Sequence, residues 1–362
     1  VESVVSPLHR SDWEGRSVFL TGHTGFKGSW LVLMLERLGA RVHGYALDPD
    51  AGTSMFGVAG IEALMASDTR ADLADRERVA AAMAAAVPDL VLHLAAQPLV
   101  RESYKHPVGT FATNVMGTAH VLESVRSIPS VRAVVVVTTD KVYENDGRGT
   151  PFAEGDRLGG DDPYSASKAA AEIVTASYRH SFFRDPGAAR VATARAGNVI
   201  GGGDWAPARL VPDCMRAFAE GSPVHLRYPM ATRPWQHVLE PLTGYLMLAQ
   251  ALIAGEEAAH AWNFGPPESD QAAVGDVAER VARLWGADAK VLIDDVAAHP
   301  HEAGLLALDS THAVRELAWR PRWPLQRALG ETVSWQKHWL AGGDMQTFSR
   351  EQIVAYLEST AS

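Results

Sequence analysis

The chain has 362 residues, 47% of them hydrophobic and 21% charged, an ordinary globular composition with enough length to bury a sizeable core as one large or two moderate domains. A net charge of -10 at pH 7 excludes the broad basic footprint of a nonspecific nucleic-acid binder, and Cys214 as the lone cysteine excludes both an intramolecular disulfide and a cysteine-built zinc site. No apolar run approaches the roughly 18 residues of a membrane-spanning helix, and His9, Arg10, Ser11 and Asp12 interrupt any signal-peptide core, so a cytoplasmic protein with no membrane partner and no metal is expected, with residues 1–12 as a flexible arm.

In chain order, the apolar run 18–21 leads into Gly22-His23-Thr24-Gly25-Phe26-Lys27-Gly28 and then a helical pattern over residues 25–38. A GxxGxxG turn between strand and helix lets the backbone approach a pyrophosphate at a helix N-terminus. It is not a Walker A loop, because the lysine comes one position early and Gly28 stands where that motif places it. A second strand, 41–46, ends just before Asp48, which follows Gly28 by 20 positions. That spacing suits a carboxylate accepting hydrogen bonds from an adenosine ribose and repelling a 2'-phosphate, hence NAD over NADP; its plainer reading is a turn residue before Pro49.

A third strand is expected at 63–67, a fourth at 90–94, a fifth at 133–138 and a sixth at 190–195. The runs 90–94 and 134–137 are nearly all apolar, as in parallel strands covered on both faces. Alternation with helical patterns gives a doubly wound, Rossmann-type α/β sheet. Asp72 and Leu73 follow the third strand, with Asp72 either reaching the adenine amino group or capping the next helix. Ala95, Ala96 and Gln97 follow the fourth, where small residues let backbone lie against a cofactor. The dinucleotide domain is expected over 13–196, rejoined by about 235–265. A smaller mixed α/β substrate domain takes 197–234 and 266–350, with helices near 212–220 and 241–255. Trp319, Trp323, Trp335 and Trp339 read as core packing.

The fifth strand ends in Thr138-Thr139-Asp140-Lys141-Val142-Tyr143, and the carboxyl ends of strands are where open α/β sheets bind ligands. Tyr164-Ser165-Ala166-Ser167-Lys168 places a phenol and an ammonium four residues apart on one helix face. An ammonium beside a phenol favours the phenolate, which can take a proton from a sugar hydroxyl. Thr139 would hydrogen-bond that hydroxyl, and Asp140 with Lys141 offers an adjacent acid and base; without Tyr164 and Lys168 the pair reads as a solvated turn. Arg195 and Asn198, the glycine run to Asp204, and Arg209, Arg227 and Arg233 would gather donors suited to a diphosphate.

With these motifs assembled, the chain resembles the extended short-chain dehydrogenases/reductases that act on nucleotide sugars, and among them the 4,6-dehydratases of CDP-hexoses, over residues 17–339. The turn itself, Gly44-Tyr45-Ala46-Leu47-Asp48-Pro49, Leu94-Ala95-Ala96-Gln97-Pro98-Leu99-Val100-Arg101 and Arg233-Pro234-Trp235-Gln236-His237 carry the resemblance. It implies a tightly held NAD, CDP-glucose as the nucleotide-sugar substrate, and a homodimer through helices near 107–126 and 163–180. Thr139, Tyr164 and Lys168 map onto the family's Ser/Thr, Tyr and Lys. Asp140 and Lys141 map onto its acid/base pair, where related dTDP-sugar dehydratases carry Asp-Glu. Gly22, Thr24, Gly25, Phe26, Lys27, Gly28, Asp48, Asp72, Leu73, Ala95, Ala96 and Gln97 fall at the cofactor. Arg101, Asn198, Arg209, Arg227, Arg233 and His301 fall at the substrate. The segment 144–153 is shorter than the family's and lacks its tryptophan. The implied activity is an internal redox dehydration; a nucleotide-sugar 4-epimerase, a dehydratase of another NDP-hexose and a noncatalytic NAD sensor are the alternatives.

Overall fold

Twelve strands and fourteen α-helices are arranged around a parallel sheet in the computed structural model, which describes residues 8–49, 51–147, 149–226, 228–294 and 306–360. Residues 1–7 of the expected arm, Arg227 and His301 lie outside the described residues. The strands are β1 (Ser17–Thr21), β2 (Arg41–Ala46), β3 (Ser67–Arg70), β4 (Leu90–His93), β5 (Ala133–Val137), β6 (Arg190–Ala196), β7 (Asn198–Ile200), β8 (Val224–Leu226), β9 (Thr232–His237), β10 (Ala261–Phe264), β11 (Gln271–Ala273) and β12 (Val291–Ile293). The main sheet has the order β10-β6-β5-β4-β1-β2-β3, with every pairing parallel. Val18 sits in register with Val42 on one side and Leu90 on the other. The strand order reverses beside β1, and that switch point opens the crevice where such sheets take ligands.

The helices are α1 (Arg10–Trp13), α2 (Phe26–Arg37), α3 (Met55–Val58), α4 (Arg76–Ala86), α5 (Val100–Lys105), α6 (Pro107–Phe111), α7 (Gly117–Arg126), α8 (Pro163–Phe182), α9 (Leu210–Ala219), α10 (Leu239–Ala254), α11 (Val274–Trp285), α12 (Thr311–Glu316), α13 (Leu325–Leu340) and α14 (Met345–Leu357). β1, β4 and β5 are buried at every residue, because helices cover both faces of the sheet. Smaller sheets, β11-β9-β7 and β12-β8, mix parallel and antiparallel pairs and share a separate core with α9, α11 and α13.

Two expectations need correction. The third strand is Ser67–Arg70, not 63–67, and Ile61–Leu64 is a 3-10 turn. β3 is the sheet's edge, and its polar Ser-Asp-Thr-Arg carries no apolar run to read. Residues 8–12 do not form a free arm: Leu8 and Trp13 are buried, and Gln250 on α10 donates to Asp12 at 2.9 Å.

The tryptophans are core, as expected of large aromatic side chains. Trp319, Trp323 and Trp335 are buried, and Trp339 packs partly buried against them. Trp335 also explains part of the glycine run. A Cβ on Gly202 would overlap its indole ring, and Gly202 presents its carbonyl to Trp30 Nε1 at 2.9 Å.

A buried carboxyl ties α10 to the C-terminal helices. Glu240 accepts from the Arg322 and Trp323 backbone N–H groups at 3.0 and 2.8 Å and from the Tyr356 hydroxyl at 2.6 Å. Burial pushes its pKa up to about 7, against these donors. The folded chain therefore holds this proton to higher pH than the unfolded chain, and stability falls as pH rises from the ordinary glutamate range to about 7. Glu240→Gln should remove that fall, gaining about 3 kcal/mol over the parent at pH 8 relative to its standing at pH 5. Urea unfolding of both proteins across this range measures it.

Among the described residues no helix is long and apolar enough to cross a membrane.

Candidate active site

The site starts from the turn between β1 and α2. Gly22 has φ +78, and a Cβ there would press on the Ala95 backbone nitrogen. A Cβ on Gly28 would overlap the Gly22 carbonyl oxygen. Only glycine at both positions allows the turn to close, and α2 begins there with no side-chain cap on its first N–H groups. Thr24 fastens the turn to the end of β2 by donating to the Leu47 carbonyl at 3.0 Å. His23, fully buried, fastens it to β3 through Asp68 at 2.8 Å. This cradle fits a dinucleotide pyrophosphate.

Beyond it, a cavity of about 530 Å³ is lined by Asp48, Pro49, Phe56, Glu62, Asp68 and Arg70. The Asp48 side chain is 85% exposed at its rim, 3.4 Å from Arg70. Arg70 gives Nε and Nη2 to the Asp68 carboxylate, both at 2.6 Å, and lies over the Phe56 ring. Asp72 is exposed and caps its own turn through the Ala74 N–H at 2.9 Å, while the helix cap of α4 is Asp75. Leu73 is buried; Ala95 and Ala96 are half-buried. The Gln97 amide is occupied within the protein, donating to Thr110 at 2.9 Å and accepting from the Leu99 N–H at 2.6 Å.

The chemistry gathers at the end of β5. Thr139 caps the 3-10 turn Asp140–Val142. Its hydroxyl donates to Asp140 Oδ1 at 2.9 Å and accepts from the Lys141 N–H at 3.4 Å. Asp140 is 1% exposed, and its Oδ2 is buried without a hydrogen-bond partner. Burial raises the Asp140 pKa against the opposing charges of Lys141, Arg233 and Lys27. Lys141 is half-buried beside it.

α8 delivers the other half. Asp162 caps it, accepting from the Ser165 N–H at 3.0 Å, and Pro163 starts it, an arrangement both residues favour. Tyr164 thus lies in the first turn, its backbone N–H donating to Ser103 at 3.2 Å. Burial pushes its phenol up to about 12, while the neighbouring Thr139 hydroxyl and Arg209 oppose. Lys168, on the same face, donates to the Val137 carbonyl at 3.0 Å. Burial lowers it to about 8, and the Glu172 carboxylate resists. Thr139 is the hydroxyl that acts on the Tyr164 phenol; the Lys168 ammonium is anchored to the strand end.

The structure also adds members. Lys27 reaches into the same cluster, 3.4 Å from the Tyr245 hydroxyl, and burial lowers it to about 7, with Arg209 and Lys168 adding and Asp140 opposing. Asn114 sits in a π-helical turn, Ala112–Met116, between α6 and α7. It joins Ser167 at 2.8 Å to the Gln97 backbone at 2.8 and 3.1 Å. Helical spacing from Lys168 points to Glu172; Tyr245, inside the apolar α10, has no comparable sequence signal.

The expected arginine cluster divides. Arg195 is not a phosphate donor: it is 3% exposed and paired with Glu172 at 2.9 Å beneath the site. Arg209 pairs with Asp204 at 2.8 Å and acts electrostatically on Tyr164 and Lys27. Arg233, buried on β9, acts on Asp140. Asn198 is half-buried at the start of β7, and Arg101 is exposed on α5.

A doubly wound sheet whose switch point faces this Thr, Tyr and Lys set defines an extended short-chain dehydrogenase/reductase. Residues 19–332 match the family model described as GDP-mannose 4,6 dehydratase, and the chain belongs to that family. It is 45% identical to a CDP-glucose 4,6-dehydratase of Salmonella typhimurium, over 98% of this chain and 99% of that one. It is 26% identical to a dTDP-glucose 4,6-dehydratase of Xanthomonas campestris, over 93% and 98%. Among solved structures it shares its fold with a UDP-glucose 4-epimerase of Thermotoga maritima, TM-score 0.77 at 22% identity, over 89% of this chain and 99% of that one. The dTDP-glucose 4,6-dehydratase DesIV of Streptomyces venezuelae, described with NAD bound, gives TM-score 0.75 at 23% identity, over 90% and 98%.

Proposed function

We propose that the protein is an NAD-dependent 4,6-dehydratase converting CDP-glucose to CDP-4-keto-6-deoxyglucose. The observation that carries this reading is Asp140. A buried carboxyl held toward its neutral form, with one oxygen unpartnered, is the group needed to protonate a departing 6-hydroxyl, and a 4-epimerase has no use for it. The fold serves epimerases and dehydratases alike, so the acid discriminates where the scaffold does not.

The Gly22–Gly28 turn would hold the pyrophosphate of NAD and Asp48 its adenosine ribose. Held there, NAD would supply a reversible hydride acceptor for the sugar. Tyr164 removes the 4-hydroxyl proton as phenolate, a form that the positive charges of Lys168 and of bound NAD would have to favour against the burial that holds the phenol up to about 12, with Thr139 orienting that hydroxyl. The 4-ketone acidifies the C5 proton, which Lys141 removes; Asp140 gives its proton to the 6-hydroxyl, water leaves, and Lys141 returns its proton to C5. Arg209, Arg233 and Asn198 are the donors for the substrate diphosphate and sugar. The cytidine preference is supported by likeness to the Salmonella relative across nearly the whole of both chains. A homodimer is supported by exposed apolar side chains, Val108, Met116 and Ile173, on the helical layer that carries α6, α7 and α8.

CDP-, UDP- and dTDP-glucose in deuterated water, with products weighed by mass spectrometry, test this. Loss of one water with one deuterium gained at C5, from CDP-glucose in preference to the others, is expected. A sugar isomerised at unchanged mass would establish the epimerase instead.

A further inference from the structure

The dehydration, written out by protons, leaves the site out of register with its starting state. Tyr164 begins as phenolate and ends as phenol, holding the proton from the 4-hydroxyl. Asp140 begins as carboxylic acid and ends as carboxylate, its proton gone with the departing water. Lys141 takes the C5 proton and returns it, and the hydride that leaves C4 comes back at C6. The total is unchanged, but one proton has moved from Asp140's account to Tyr164. Before the next substrate it must travel from Tyr164 to Asp140.

Three observations show a route. Asp140, Thr139 and Tyr164 are 1%, 7% and 8% exposed, so exchange with bulk water is obstructed at both ends. The Thr139 hydroxyl meets Asp140 Oδ1 at 2.9 Å and lies beside the Tyr164 phenol, on which it acts. A hydroxyl has one proton to donate and lone pairs to accept with, so it can serve one neighbour as donor only while accepting from the other. That is the wiring of a relay.

We propose that the Thr139 hydroxyl returns the proton from Tyr164 to Asp140 after each turnover, so that the enzyme resets without exchanging a proton with water. In the step the Tyr164 O–H bond breaks as a new O–H bond forms on Thr139. The original Thr139 O–H bond breaks as one forms on Asp140 Oδ1, and a half-turn of the carboxyl about Cβ–Cγ then carries that proton to the unpartnered position. Charge passes from the carboxylate to the phenolate, and no other reactant is needed. This role is separate from orienting the sugar hydroxyl, which matters before chemistry, and it rests on the dehydratase reading above.

The test is rapid-quench kinetics with excess CDP-glucose on the NAD-loaded protein and its Thr139→Val and Thr139→Ser variants. The parent and Thr139→Ser should form product linearly from the first turnover. Thr139→Val should give a burst approaching one product per site, whatever its rate, then a steady state about a hundredfold slower that small carboxylic-acid buffers accelerate. Infrared difference spectra after one turnover should show the protonated carboxyl band of Asp140 regained in the parent and missing in Thr139→Val. If Thr139→Val slows or abolishes the first turnover as much as the later ones, Thr139 acts on the substrate alone and the relay is wrong. Inert CDP-glucose with the parent protein would remove the dehydratase reading, and the relay with it.

Discussion

Asp140→Asn should separate the two halves of the reaction, leaving oxidation at C4 while slowing water loss by about 10² to 10⁴-fold. Asparagine has the same shape and can keep the Thr139 hydrogen bond at the Oδ1 position, so the 3-10 turn and the Tyr164 contact should survive. What disappears is a proton donor at the unpartnered Oδ2. Stopped-flow absorbance should show reduced nicotinamide accumulating with CDP-glucose, where the parent shows little. In deuterated water the substrate recovered from the variant should still acquire deuterium at C5, because Lys141 is untouched. Equal loss of nicotinamide reduction and of water release would mean that Asp140 supports the whole site and is not the acid.

Those groups were legible because each stands where a local rule applies. Thr139 and Asp140 follow an all-apolar central strand, and Tyr164 and Lys168 are one helical turn apart. The glycines of the turn could be placed from their GxxGxxG spacing between an apolar strand and a helical pattern. The edge strand β3 was not legible, being polar, nor were the three-residue strands of the small sheets, which are too short to set a period. Spacing also says which residues share a helix face, not where a long side chain ends. Lys168 was expected beside the phenol and is hydrogen-bonded to the Val137 carbonyl. Arg195 was expected to face a diphosphate and instead lies beneath the site with Glu172. Gln97 looked available for a cofactor and is occupied by Thr110 and Leu99. In each case a buried polar group found a partner within the protein, a result that depends on elements far apart in sequence.

Glu172 is where the largest loss of stability is expected. Its carboxylate accepts four hydrogen bonds: from Thr138 at 2.5 Å and Arg195 Nε at 2.9 Å on one oxygen, and from Thr193 at 2.6 Å and Arg195 Nη2 at 2.9 Å on the other. Arg195 continues to the Tyr143 hydroxyl at 2.7 Å, and Tyr143 to Asn263 at 2.7 Å, so the pair also braces the segment after the catalytic turn. Burial works to raise the Glu172 pKa, yet Arg195 and the threonines bring it below the ordinary value. Its contribution is therefore present above the unfolded carboxyl pKa and is lost as pH falls through the folded one. Glu172→Gln strands the Arg195 charge in the interior and should cost about 3–5 kcal/mol in denaturant unfolding at neutral pH. The effect should reach the chemistry too, because the Glu172 carboxylate is what supports the Lys168 ammonium against burial. Without it the Lys168 pKa falls further, and the alkaline decline of kcat/KM should move to lower pH in whatever fraction of the variant remains folded. A variant that loses stability while keeping the parent's pH profile would show that the pair braces the fold and leaves the charge on Lys168 to other groups.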